Sequence, residues 1–112
     1  MYVAIARGVG VFFSEGIFDC IVESTRVGFE NREEGCRKEI YASFDEQGQN
    51  FITLDCVGIS CFNLFYGHCR RAMECFPTSE RAKDLSEHRI PIILSHWSEM
   101  LRVMREDPRY RD

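Results

Sequence analysis

The sequence has no long apolar run and no recognisable leader. Its longest apolar stretches, residues 9–13 and 90–94, are interrupted by Gly10 and Pro91. A membrane-spanning helix needs about 20 consecutive apolar residues, so we expect no membrane span and no membrane partner. Residues 1–16 lack a basic region ahead of a long apolar stretch. We therefore expect no secretory signal and a cytoplasmic location.

The chain is also short of positive charge, with a formal net charge of −4. Residues 1–60 hold ten acidic and five basic residues, whereas residues 61–112 hold eight acidic and nine basic ones. An acidic half disfavours nucleic acid as the partner, because the phosphate backbone would be repelled. It favours a basic protein, whose approach the acidic surface would steer. Ordinary solubilising surface charge is the simpler alternative.

The ligand spacing of a zinc site is missing as well. Cys61, His68 and Cys75 recur at seven-residue intervals and would form one line along a helix. Each step of that line is about 10.5 Å along the axis, whereas the donor atoms around one zinc ion lie within a few ångströms of one another. We therefore predict no metal and no cofactor, and interpret the line as a face packed on a sheet.

The six cysteines are expected to be free thiols, because disulfides are rare in a reducing compartment. Several stand among apolar residues, and a buried free cysteine behaves as a small hydrophobic side chain. The sequence therefore predicts no disulfide bond.

What the chain does contain is enough apolar surface for a folded core. Apolar residues make up 45% of the chain and aromatic residues 12%, with nine phenylalanines. This composition excludes a disordered chain. A length of 112 residues suits one globular domain, which we place at residues 1–112.

The first half of the chain carries strand patterns. Apolar or alternating stretches occupy residues 2–6, 9–13, 17–23, 38–44 and 51–57. Alternation with a period of two is typical of half-buried strands. Gly8 and Gly10 are interpreted as turn or bulge glycines, because the strand–glycine–helix order of a dinucleotide site is missing. The pattern predicts an N-terminal antiparallel β-meander of four to five strands within residues 1–58.

Helical patterns follow in residues 60–107. Ser60 is a good N-cap for a helix that runs to about Phe76, and a short helix should follow over residues 80–87. The last helix begins near Pro91, and its apolar stripe predicts a buried Trp97. Residues 109–112 should be a frayed tail. The predicted fold class is α+β, with the meander covered by two to three C-terminal helices.

Few residues suggest catalysis. Cys69 precedes two arginines, which could lower the pKa of a nucleophilic thiol. His96 has Glu99 three residues later, as in half of an acid–base pair. A small cysteine- or histidine-dependent enzyme or redox protein is therefore one alternative to a non-catalytic binding domain. Another alternative is a homodimeric structural subunit that associates through exposed aromatic residues. The candidates for that patch are Phe12, Phe13, Phe62 and Tyr66.

Five acidic residues are the candidate binding residues. They are Glu30, Glu33, Glu34, Asp45 and Glu46. The first three stand in a charged loop, and we expect the other two to join them at one end of the meander. The loop lacks the alternating oxygen ligands of a calcium site. The sequence predicts that these acids dock a basic protein.

In overall character, the chain resembles the small bacterial immunity proteins that neutralise polymorphic toxins, including contact-dependent growth inhibition immunity proteins. The shared features are an acidic domain of about this size, a sheet-plus-helix build, exposed acids and no catalytic constellation. The resemblance implies inhibition by tight binding to a cognate toxin, commonly a basic nuclease. The resemblance implies a type of function, and it assigns no role to any individual residue.

Overall fold

The computed structural model describes residues 1–112 as a succession of three strands and five α-helices. Strands β1, β2 and β3 span Tyr2–Ala6, Val9–Phe12 and Phe51–Thr53. Helices α1 to α5 span Glu15–Arg26, Glu34–Asp45, Ile59–Cys75, Glu80–Lys83 and Arg89–Arg105. Short 3₁₀ turns at Asn31–Glu33 and Phe76–Thr78 precede α2 and α4.

The three strands form one mixed sheet in the order β2-β1-β3. Strands β1 and β2 pair as an antiparallel hairpin, and the turn between them contains Gly8 at a positive φ of 76°. A side chain at Gly10 would collide with the Tyr2 ring, and the register shifts between Ala4 and Ala6. The interpretation of these glycines as turn or bulge residues is confirmed.

The predicted meander of four to five strands is wrong, although the α+β class is confirmed. Residues 17–23 and 38–44 are helical, so two helices lie within the region assigned to the sheet, residues 1–58. Ile17, Phe18, Ile21 and Val22 are all buried. Phe18 and Val22 alone would fit one strand face, but adjacent buried residues such as Ile17 and Phe18 share a face only in a helix, and α1 packs that face against α3. Because β3 runs parallel to β1, it also needs a long crossover, which α1 and α2 supply.

The second half follows the predicted helices closely. Helix α3 begins after Gly58 rather than after Ser60, and a 3₁₀ turn with Pro77 follows its end. Ser79 caps α4 by accepting a hydrogen bond from the Ala82 amide at 3.2 Å. Helix α4 is shorter than predicted, with four residues. None of the helices combines the length and apolar character needed to cross a bilayer.

Trp97 lies at the centre of the core, as predicted. It is 0% exposed, and its indole nitrogen donates a hydrogen bond to Cys69 Sγ at 3.0 Å. The Phe76 ring packs edge-on against the indole at 5.5 Å. Trp97 therefore joins α5 to α3 and to the turn that follows α3.

The C-terminal tail is anchored, so the predicted fraying is wrong. The Arg109 guanidinium donates hydrogen bonds to the carbonyls of Ile5, Leu54 and Val57 at 2.7, 2.6 and 2.9 Å. It also pairs with Asp107 at 2.9 Å and lies 4.3 Å above the Phe62 ring. Hydrogen bonds from a charged guanidinium stabilise the fold more than hydrogen bonds between neutral groups do. The tail consequently ties α5 to β1 and to the segment after β3.

Two of the six cysteines form a disulfide, which corrects the prediction of free thiols. Cys36 in α2 and Cys61 in α3 are bonded across a Cα–Cα distance of 5.5 Å. That distance lies within the range a disulfide needs, and it arises only when α2 packs beside the start of α3. The other four cysteines are free, with Cys20 and Cys69 buried and Cys56 and Cys75 exposed.

The disulfide should change the number of cysteines that react before reduction, and its removal should lower the free energy of unfolding. Alkylation of the denatured protein should modify four cysteines without reductant and all six after reduction. Removing a cross-link between residues 25 apart should lower the free energy of unfolding by about 3 kcal/mol, because the unfolded chain gains freedom. Chemical denaturation of Cys61→Ser measures this, with the exposed Cys56→Ser as the control. Six modified thiols before reduction would contradict the bond.

Candidate functional site

The five candidate acids do not gather at one end of the fold. Glu30, Glu33 and Glu34 lie at the start of α2, whereas Asp45 is its last residue and Glu46 follows it. Helix α2 has twelve residues and is about 18 Å long. The structure therefore divides the candidates into two groups at opposite ends of one helix.

Glu33 is held against the protein surface by two contacts. Its Oε1 accepts a hydrogen bond from the Glu30 amide at 2.8 Å and lies 3.0 Å from His68 Nε2. The hydrogen bond from the Glu30 amide, together with that from His68, lowers the pKa of the Glu33 carboxyl. The side chain is 14% exposed. Glu33 thus joins the start of α2 to α3 and offers little surface to a partner.

Glu30 and Glu34 are accessible. Their side chains are 60% and 54% exposed, and each forms a surface ion pair. Glu30 lies 2.8 Å from Arg32, and Glu34 lies 3.3 Å from Arg37. Exposed pairs of this kind contribute about 0.2–1 kcal/mol, so a partner's basic side chain can replace the intramolecular one at small cost.

At the other end of α2, the two acids differ in their surroundings. Arg26 contacts Asp45 at 2.9 Å and Glu23 at 3.5 Å, and its guanidinium lies 4.6 Å above the Tyr41 ring. This contact joins the end of α2 to α1. Glu46 is exposed. Only Glu46 of this pair is therefore presented without a neighbouring basic side chain.

His68, the polar residue in the apolar face of α3, is the centre of a three-residue cluster. Its Nδ1 lies 2.8 Å from the Arg71 guanidinium, which can only donate. Its Nε2 therefore carries the proton and donates to Glu33. The ring is 8% exposed and lies 4.7 Å from the Phe29 ring. The sequence marks His68 as unusual, but no local signal identifies Glu33 as a partner 35 residues away.

The catalytic alternatives find no geometric support. Cys69 is fully buried and accepts the Trp97 hydrogen bond, and burial raises the pKa of its thiol to about 12. A nucleophilic cysteine needs the opposite shift. His96 packs against the Phe13 ring at 6.3 Å, whereas Glu99 binds Arg102 at 2.6 Å. The hydrogen bonds from Arg102 lower the pKa of Glu99, and the predicted pair with His96 does not form.

The predicted aromatic dimer patch is not present on the surface. Phe13, Phe62 and Tyr66 are buried, with exposures of 6%, 0% and 8%. Phe12 alone is exposed, at 78%, and stacks against Tyr2. The prediction of this patch was wrong because strand alternation and helical packing turn three of its four residues inward.

Comparisons with known proteins agree with the resemblance drawn from the sequence. No protein-family model matches the chain. Immunity protein CdiI from Burkholderia pseudomallei is 24% identical over 107 residues, which cover 96% of this chain and 91% of that protein. A chain in the solved complex of a Burkholderia pseudomallei CdiA-CT toxin with its cognate CdiI immunity protein has the same fold. Its TM-score is 0.83 at 22% identity, with 96% of each chain covered.

Proposed function

We propose that this protein is an immunity protein that binds a cognate toxin and blocks its activity. The observation that carries the proposal is the similarity to CdiI, which extends over 96% of this chain and 91% of that protein. The shared fold supports it, because the match covers 96% of each chain.

The proposed mechanism is occlusion of the active site of a basic, nuclease-like toxin. The net charge of −4 and the exposed carboxylates of Glu30 and Glu34 would attract such a toxin. Opposite charge raises the rate of encounter, and burial of the contact surface then sets the lifetime of the complex. Acidic side chains can also occupy the positions of nucleic acid phosphates on the toxin.

Co-expression with a candidate toxin domain from the genome that carries this chain's gene tests the proposal. Cells that express the toxin domain should grow only when this chain is present, and the two proteins should copurify. Protection should be lost against a toxin domain from an unrelated system, which serves as the specificity control. Growth arrest that persists in the presence of well-folded protein would contradict the proposed function.

The exposed acids at the start of α2 give a kinetic prediction. Glu30→Gln combined with Glu34→Gln should slow association with the toxin about 2- to 10-fold at low salt, because two steering charges are removed. The salt dependence of the rate should also become shallower. Glu33 is left unchanged, because its contacts with Glu30 and His68 maintain the fold. Stopped-flow or surface-binding kinetics at several salt concentrations measure both effects.

A matched control is available on α5. Glu99 and Glu106 are also exposed, at 51% and 67%, and both pair with Arg102. Glu99→Gln combined with Glu106→Gln removes the same charge from α5 and the residue that follows it. If both double variants slow association equally, the net charge matters and the start of α2 is not a recognition surface. If neither double variant slows association, these four glutamates only keep the protein soluble.

A further inference from the structure

The disulfide joins equivalent positions of two helices. Cys36 is the third residue of α2, and Cys61 is the third residue of α3. Each sulfur therefore belongs to the first turn of its helix, and the bond has a helix N-terminus on each side. Both residues are half-buried, so the bond is not sealed in the core.

No side chain caps the N-terminus of either helix. Glu33 precedes α2 and Gly58 precedes α3, and neither makes a side-chain hydrogen bond to the first turn that follows it. The first amides of an α-helix and the helix dipole stabilise a negative charge. A cysteine at such a position forms a thiolate more easily than a cysteine elsewhere on the surface. The fold therefore favours both sulfurs as thiolates once the bond is opened.

Little acidic charge opposes a thiolate at this bond. The first turn of α3 contains no acidic residue. The first turn of α2 contains Glu34, whose carboxylate lies 3.3 Å from Arg37 and 3.8 Å from Lys38. A sulfur that is more stable as a thiolate leaves faster in thiol–disulfide exchange. Cys61, in the turn without an acid, is therefore the better leaving group.

We propose that Cys36–Cys61 is a redox-active disulfide, which small thiol reductants open while the protein stays folded. A reductant thiolate attacks the Cys36 sulfur, the sulfur–sulfur bond breaks, and Cys61 leaves as a thiolate. A second reductant thiol attacks the mixed disulfide and releases Cys36. Two reductant thiols become one disulfide, and their two electrons pass to the cysteines. Their two protons pass to the cysteine sulfurs, or to solvent where these remain thiolates.

Other contacts between α2 and α3 hold the fold after reduction. Glu33, which precedes α2, lies 3.0 Å from His68, and the Tyr41 ring lies 6.5 Å from the Phe65 ring. Neither contact involves a sulfur. Reduction therefore loosens the first turns of α2 and α3, where the cross-link acts, and leaves the rest of both helices packed.

Equilibration of the native chain with reduced and oxidised glutathione at neutral pH tests the proposal. Acid quenching, alkylation and mass spectrometry count the reduced cysteines. We expect glutathione to reduce Cys36 and Cys61 in native buffer, whereas structural disulfides resist it. Ser60→Asp adds a negative charge to the first turn of α3, so it should lower the equilibrium constant for reduction about 2- to 5-fold. Ser60→Asn is the matched neutral control, because Ser60 is exposed.

Backbone order parameters from NMR measure the predicted loosening. On reduction they should fall in the first turns of α2 and α3, while α5 stays near the rigid value of about 0.85. Cys61→Ser should show the same mobility without reductant, and the exposed Cys56→Ser should not. Order parameters unchanged by reduction would overturn the loosening. A bond that glutathione opens only in denaturant, or an equilibrium that Ser60→Asp leaves unchanged, would overturn the redox-active assignment.

Discussion

Replacing Arg109 with alanine is expected to lower the free energy of unfolding by about 3–5 kcal/mol, the cost of removing one partner of a buried charge pair. The substitution would leave the Asp107 carboxylate, which is 6% exposed, without its partner. It would also remove donors from the carbonyls of Ile5, Leu54 and Val57. Chemical denaturation measures the change, and hydrogen exchange should show that the end of β1 opens.

Two further variants distinguish the geometry of Arg109 from its charge. Arg109→Lys keeps the positive charge but cannot reach three carbonyls and a carboxylate with a planar fork, so it should recover only part of the stability. Arg111→Ala is the control, because Arg111 is exposed and its side chain contacts only nearby carbonyls. Its effect should remain within about 0.5 kcal/mol. Equal stability of the Arg109 and Arg111 variants would show that the tail is not anchored.

The same pair gives a pH dependence with a definite sign. The hydrogen bonds from Arg109 hold the pKa of Asp107 below its ordinary value. Asp107 therefore stabilises the fold at pH values above that ordinary value, and its contribution is lost as the pH falls through the lowered pKa. Stability should consequently decline less on acidification in Arg109→Ala than in the wild-type chain.

Trp97→Ala is the second change with a large expected effect, about 3–5 kcal/mol of lost stability. Trp97 is 0% exposed, so truncation leaves a cavity between α5, α3 and the Phe76 ring. It also leaves Cys69 Sγ without the indole donor. Domains of this size are stabilised by about 5–15 kcal/mol, so the variant should be close to unfolding at physiological temperature.

Controls for Trp97 lie on the same helix and at the same site. Trp97→Phe keeps an aromatic ring against Phe76 but loses the hydrogen bond to Cys69, so it should be less damaging than alanine. Ile92→Ala should change stability by no more than about 0.5 kcal/mol, because Ile92 is 53% exposed. Thermal unfolding followed by circular dichroism compares the three variants. A melting temperature of Trp97→Ala within a few degrees of wild type would contradict the packing.

At the candidate site, residues of the same type differ in their exposure to solvent. Glu30 and Glu34 are exposed as a charged loop predicts, whereas Glu33 is turned inward to His68. All three are the same amino acid within five positions of sequence. Their different exposures depend on where α3 lies, which the local pattern does not contain.

Local signals in the sequence determined those parts of the fold that short-range physics controls. The hairpin at Gly8, the helical region after Gly58 and the buried stripe around Trp97 follow from backbone conformation and periodicity. The helical state of residues 17–23 was not determined locally, because Phe18 and Val22 fit a strand face as well as a helix face. Packing of α1 against α3 decided it.

Only the tertiary structure decided the contacts that join distant segments. Cys36 meets Cys61 across 25 residues, Glu33 meets His68 across 35, and Arg109 reaches the Val57 carbonyl across 52. Such pairs depend on the parallel pairing of β3 with β1 and on the helices that cross between them. The residues that flank them in the sequence form no pattern that would indicate these contacts. The physical reason is that a hydrogen bond or disulfide needs atoms within a few ångströms, and chain topology alone brings these atoms together.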